Sequence, residues 1–368
     1  MIQLLPADEE KVQQLHRDSL LMICHDHELF PEDLEAMRRG GVTAKQVHIC
    51  VDGLIWADRE TLLASATLEE GYLKRALIAM DYIYWQVEES EGRITIALEP
   101  EDIVKAKQEG AITLLLGAEG PRLLENRLEV LRMLYRLGLR HLQLSWAWET
   151  TVGASQNDTS GRGLTDFGRD VIREMNRLGI IVDVSHLAYH SIYDALKTSS
   201  TPLLNSHTGA AVLNLEQPQL LPDELIRAIA DQGGILGIHF MSQMVKPGRH
   251  KATFDELMAQ FEYIANLVGT DHIACGPDYL YLDPRIWENQ NITVPFTFSD
   301  GVEEISQMIN VTRGLVARGF SDEDVGKIMG GNLLRLFQEV RDAADPSPWS
   351  YTRYAEGIGA CTGGTSPL

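Results

Sequence analysis

The sequence predicts an α/β fold of the (β/α)8 TIM-barrel type, and three observations carry that expectation. Eight short runs rich in Val, Ile and Leu alternate with segments whose apolar residues recur at helical spacing. A length of 368 residues suits one large barrel. No Gly-rich phosphate fingerprint follows the first run, which disfavours the rival fold, a doubly wound open sheet. One barrel domain is expected over 1–345, followed by a Pro/Ser/Gly/Tyr-rich tail over 346–368.

A leading helix is expected at 8–20, and the run at 20–24 then reads as a buried strand ending in His25-Asp26-His27. Residues two apart on a strand share a side, so His25 and His27 should face one way and Asp26 the other. After a helix at 31–39, Gly40-Gly41 breaks the chain before the second strand, 46–51. A helix at 71–88 carries Leu73, Ala76, Leu77, Met80 and Ile83 on one face. The third strand, 112–116, runs into Gly117-Ala118-Glu119-Gly120, where glycines permit a tight turn around a lone carboxylate.

A helix at 122–137 leads to the fourth strand, 140–146, and a polar loop at 150–163. The next helix is bounded by Thr165 as N-cap and Gly179 as C′ residue, and it delivers the fifth strand, 180–186, which ends in Ser185-His186. A helix at 189–198 precedes the sixth strand, 202–207, which again ends in Ser-His. Gly233-Gly234 closes a helix at 222–232 and launches the seventh strand, 235–240. A helix at 253–268 precedes the eighth, 272–275, which ends in Gly276-Pro277-Asp278. Helices at 302–318 and 328–337 complete the barrel, and the segment 279–300 is expected to shape the pocket with the loop at 150–163.

A formal charge of −21 excludes nucleic acid and anionic membrane as main partners, because phosphate binding needs clustered Lys and Arg. Four scattered cysteines form no CxxC pair, so reduced, buried thiols are expected rather than a disulfide frame. The N-terminus lacks a basic stretch followed by a long apolar one, and no run approaches membrane-span length. A soluble, cytoplasmic protein is the expectation.

Active sites of such barrels lie at the C-terminal ends of the strands, where this chain places His25, His27, Glu119, His186, His207 and Asp278. Singly, each has a plain reading as a hydrogen-bonded strand end or a turn carboxylate. Their convergence on one face is what points to a site. Imidazole and carboxylate donors without thiolates suit a catalytic ion such as zinc, manganese, iron or cobalt, one or two per chain. His25 and His27 would hold one ion and His186 and His207 the other, with Glu119 bridging and Asp278 moving a proton. His48 and His239 lie within strands, which favours packing or support roles, and Asp183 is either a support for His186 or a carboxylate tied to backbone.

These motifs resemble the membrane (renal) dipeptidase family of zinc peptidases. The resemblance runs through Gly117-Ala118-Glu119-Gly120, Gly163-Leu164-Thr165-Asp166-Phe167-Gly168, Asp183-Val184-Ser185-His186, Asn205-Ser206-His207-Thr208, Gly276-Pro277-Asp278-Tyr279 and Gly330-Gly331-Asn332. It implies a binuclear zinc site bridged by Glu119, hydrolysis of dipeptides and a homodimer. Three positions depart from it. The first-strand motif is normally His-x-Asp, and His27 replaces that carboxylate. Trp146 stands where the family has a histidine on the tetrahedral intermediate, and Gln219-Leu220 stands for its carboxylate-reading Arg-Asn.

Trp146 and Gln219 are thus the candidate substrate-binding residues. The leading expectation is a dipeptide or similar small amide cleaved by metal-bound hydroxide. The alternatives are the same chemistry on an N-acyl amino acid, lactone or cyclic amide, and a catalytically silent binding barrel.

Overall fold

The computed structural model describes residues 4–27, 31–52, 71–146, 149–248, 250–279 and 297–345. Eight parallel strands form a ring: β1 (Met22–Ile23), β2 (Ala44–Val51), β4 (Ile112–Glu119), β5 (His141–Gln143), β6 (Ile181–Asp183), β7 (Leu204–Thr208), β8 (Ile235–Ile238) and β9 (Ile273–Cys275). Pairing of β1 with both β2 and β9, and of β2 with β4, closes the ring. Every residue of β2 and β4 is buried, which is why these strands read as continuous runs rather than alternating ones. Each of the eight expected runs becomes one ring strand.

The short β3 (Ile94–Ile96) is additional and pairs with Ile112–Leu114 of β4 outside the ring. Helices α1 (Pro6–Asp18), α2 (Pro31–Arg39), α3 (Tyr72–Glu89), α4 (Pro100–Glu109), α5 (Leu128–Arg136), α6 (Asp166–Leu178), α7 (Tyr189–Thr198), α8 (Asp223–Asp231), α9 (Phe254–Val268), α10 (Ile309–Ala317) and α11 (Asn332–Asp342) surround it. None is long and apolar enough to cross a membrane among the described residues.

Local chemistry sets the boundaries. Thr165 accepts a hydrogen bond from Gly168 N at the start of α6, and Gly179 ends it at φ 75. A capping box between Thr253 and Glu256 opens α9. The expected helix at 122–137 is instead a 3-10 turn, Arg122–Leu124, followed by α5, because Glu125 and Asn126 take φ of 48 and 60 and break the ladder. The closing segment passes through a π-type turn, Lys327–Gly331, before α11.

Two apolar layers result. One lies between strands and helices. The other fills the lower barrel, where Met22, Ala44, Leu115, Ile181, Leu204 and Ile235 pack in one cluster with Leu333, Leu336 and Phe337 of α11. Above that floor the interior turns polar. Residues 346–368 and most of 279–300 lie outside the described residues.

Candidate metal centre

Six side chains from five strand ends meet above the apolar floor; those of His25, His27, Glu119 and His207 are almost wholly buried, and those of His186 and Asp278 are about nine-tenths buried. His25 and His27 follow β1 with their Nε2 atoms 3.3 Å apart, while Asp26 turns outward to a buried ion pair with Lys45 Nζ at 2.9 Å. Glu119, the last residue of β4, places Oε2 3.4 Å from His27 Nε2 and Oε1 3.1 Å from His186 Nε2. His207 Nε2 lies 2.8 Å from His186 Nε2 and 3.7 Å from Glu119 Oε1. Asp278 Oδ1 is 2.8 Å from His27 Nε2 and 3.4 Å from His25 Nε2.

His186 and Asp278 sit beyond their strands at φ 63 and 60, in the left-handed region. Non-glycine residues held there cost backbone energy, and such strain concentrates at functional sites. The strand β6 already ends at Asp183, so a turn rather than the strand itself aims His186.

Donor spacing decides whether these groups suit an ion. Four ligands arranged tetrahedrally at about 2.1 Å from an ion lie about 3.4 Å from each other. The separations of 3.3 Å between His25 and His27, 3.4 Å from His27 to Glu119 and 3.1 Å from His186 to Glu119 fall near that edge length. Glu119 Oε2 and Asp278 Oδ1 have no aligned hydrogen-bond donor among the described residues. Two donor groups share Glu119, one with His25, His27 and His48 and the other with His186 and His207; a third joins His25, His207 and Asp278. The residues therefore fit divalent ions, with Glu119 between two positions.

Ring protons are fixed from below. Ser206 Oγ stands 3.0 Å from both His25 Nδ1 and His207 Nδ1, and 3.2 Å from Ser185 Oγ. Ser185 Oγ donates to Asp183 Oδ1 at 2.8 Å. With Asp183 as terminal acceptor, Ser206 accepts from both rings and passes its own proton to Ser185, so both Nε2 lone pairs point into the site. His186 Nδ1 meets Gln156 Oε1 at 2.9 Å with the same result. Gln143 donates to Glu119 Oε1 at 3.2 Å, and His239 Nε2 lies 3.2 Å from Asp278 Oδ2.

The electrostatics follow the geometry. Burial disfavours the charged forms of Glu119 and Asp278, yet the surrounding imidazoles hold both carboxyls below the usual range, Asp278 well below it. Burial also works against a charged His25, but Glu119 and Asp278 raise its pKa. For His207 burial dominates, reinforced by His25 and His186, and pushes the ring well down.

Of the residues singled out from sequence, His25, His27, Glu119, His186, His207 and Asp278 are brought together. Trp146 follows β5, half-buried. Gln219 is buried and donates from Nε2 to His207 O at 3.0 Å, which anchors a strand end. His48 and His239, expected as packing or supporting residues, both reach the cluster. Asp183 makes no hydrogen bond to His186 among the described residues; it terminates the Ser185 relay and accepts from His141 Nε2 at 2.9 Å. Gln46, His141, Gln143, Gln156 and Ser206 were not anticipated as functional. For Gln46, His141 and Gln143 the signal is a polar residue inside a buried strand; Gln156 sits in the turn beyond β5 and carries no such signal, and Ser206 is marked only by preceding His207.

Residues 24–351 match the family described as Membrane dipeptidase (Peptidase family M19). Dipeptidase tcpJ of Claviceps purpurea (strain 20.1) is 32% identical over 254 residues, 68% of this chain and 56% of its own, so the match spans about half of that relative. An amidohydrolase from Pseudomonas aeruginosa aligns with TM-score 0.79 and 26% identity over 89% of this chain and 98% of its own. The probable dipeptidase PvdM from the same organism gives 0.77 and 20% over 92% and 100%. A metallo peptidase from Rhodobacter sphaeroides, liganded with a phosphinate mimic of the dipeptide L-Ala-D-Ala, gives 0.72 and 18% over 88% and 100%. Similarity at the identities of the last two speaks to the fold.

Proposed function

Because the chain belongs to the membrane dipeptidase family, we propose that it is a metal-dependent hydrolase cleaving a dipeptide or a similar small amide. The observation that carries this reading is the pair of donor groups sharing Glu119, His25/His27 on one side and His186/His207 on the other. Divalent ions held there, zinc being the proposed metal, would lower the pKa of a water toward neutrality and polarise the substrate carbonyl.

The chain's own residues do the rest. Glu119, steadied by Gln143, spaces the two positions. Asp278, held by His239 on one oxygen, has its other oxygen facing His25 and His27 and is placed to take a proton from the attacking water and return it to the leaving amine. Burial of these groups excludes bulk water and strengthens each charge interaction.

A second reading keeps this chemistry on an N-acyl amino acid, lactone or cyclic amide. Gln219 favours it, since its amide is bound to His207 O and position 219 carries no cation for a free carboxylate. A substrate panel separates the two. Turnover of Ala-Ala-type dipeptides comparable to the best substrate supports the first reading, whereas turnover confined to acyl compounds or lactones supports the second. Glu119→Gln is expected to remove both bound metal and activity, and unchanged turnover in that variant would reject both. A homodimer and a cytoplasmic setting are part of the proposal. The latter draws support from Cys24, Cys50 and Cys275 being buried free thiols. Sedimentation and cell fractionation test them.

A further inference from the structure

We infer that His48 is a hydrogen-bond donor, offering its Nδ1–H to the oxygen that develops charge when an amide carbonyl is attacked beside Glu119. The ring is fully buried on the interior face of β2, and one of its nitrogens lies within 4.8 Å of the donor atoms of His25, His27 and Glu119. Its two nitrogens differ in surroundings. Gln46 Nε2 lies 3.1 Å from His48 Nε2, while His48 Nδ1 has no hydrogen-bond partner among the described residues.

A relay from below sets which nitrogen carries the proton. Asp183 Oδ2 accepts from His141 Nε2 at 2.9 Å, so the His141 Nδ1 lone pair accepts from Gln46 Nε2 at 2.5 Å. The other proton of the same amide nitrogen goes to His48 Nε2, which leaves the His48 proton on Nδ1. Buried N–H groups in native proteins have acceptors, and this one finds its acceptor in a bound molecule. The same Asp183 thus fixes the lone pairs of His25 and His207 toward an ion through Ser185 and Ser206, and the N–H of His48 toward a substrate oxygen through His141 and Gln46.

The inference rests on the amide-hydrolysis reading of the site. There, the water oxygen bonds to the carbonyl carbon, the C=O π pair moves onto the carbonyl oxygen and the water proton passes to Asp278. On collapse the C–N bond breaks and that proton leaves with the amine. A fixed donor aimed at the oxygen acts more strongly on the charged transition state than on the neutral substrate.

The test combines two-bond 1H–15N spectra of the metal-loaded protein with His48→Phe and His48→Gln, each assayed for metal content, kinetics and affinity for a phosphinate dipeptide mimic. The expected results are an Nδ1–H tautomer at His48 and a kcat loss of about 100-fold in His48→Phe. KM and metal content should stay near wild type, phosphinate binding should weaken in step with kcat, and His48→Gln should recover part of the loss. An Nε2–H tautomer, or a metal equivalent lost from His48→Phe, would make His48 a ligand and overturn the inference, as would an unchanged kcat. Should the wild-type chain hydrolyse no amide and bind no phosphinate, the proposed function fails on its own account. The tautomer and metal content then still decide His48: Nε2–H or loss of metal overturns it.

Discussion

Three groups of the cluster, His25, His207 and His48, depend on the charge of Asp183 beneath them. It accepts from Ser185 Oγ, Ser185 N and His141 Nε2, and His141 and the hydrogen bonds hold its carboxyl below the usual range although burial opposes that. Asp183→Asn should therefore weaken metal binding about 10- to 100-fold while leaving every first ligand in place, as measured by competition with a chromogenic chelator. His27→Asp puts a carboxylate where the cluster has an imidazole and should tighten binding at the position beside His25 in the same chelator competition; unchanged affinity in that variant would contradict the assignment. That these donors would converge was legible from the sequence because each member lies at the end of a strand. The supports beneath were not, because a Gln or His inside an apolar strand has the same sequence signature whether it packs or relays a proton.

At the scale of elements, α6 and the turn after β6 are the pieces that deliver His186. Thr165→Ala removes the N-cap of α6 and should cost about 1 kcal/mol in a denaturant titration. Gly179→Ala should cost at least as much, since Gly179 sits at φ 75 and an added Cβ would press on Arg341 Nη1 and Ala344. These boundaries were readable because capping residues announce them. The break after Arg122–Leu124 was not, since Glu125 and Asn126 at positive φ interrupt an otherwise helical pattern. Nor was β3, whose three residues are too few for periodicity and whose pairing with β4 is decided by tertiary contact. The expected strand ending in Ser185-His186 stops at Asp183, because the left-handed His186 needs a turn.

The whole molecule is a barrel with an apolar floor and a charged upper half, so its stability and its chemistry answer to different layers. Phe337→Ala removes a buried ring from the floor and should cost about 3–5 kcal/mol without altering metal stoichiometry. The upper half governs pH response. Burial lowers the pKa values of His48, His141, His207 and His239, so once the pH falls below about 6.5 the unfolded chain binds protons that the folded chain refuses, and stability declines. His25 works in the opposite sense: its raised pKa contributes stability that is present below about 6.5 and lost as pH rises through its folded value. Asp52, whose carboxyl pKa burial pushes up to about 7, works with His25, against the four lowered rings and the lowered carboxyls of Glu119, Asp183 and Asp278. Metal-free protein should melt at progressively lower temperature from about pH 7 to 5, and a flat profile would show that these rings titrate normally. Fold class was the most legible feature of all, since eight alternating units over this length leave few other closures.

Two ions around Glu119 would make this barrel an amide hydrolase. This is tested most directly by returning zinc to chelator-treated protein while measuring bound metal and dipeptide or acyl-amino-acid turnover on the same samples. Turnover should be absent at zero metal and rise until two equivalents are bound, with Glu119→Gln binding neither equivalent tightly. Turnover independent of metal, or full loading with no hydrolysis of any amide offered, would contradict it.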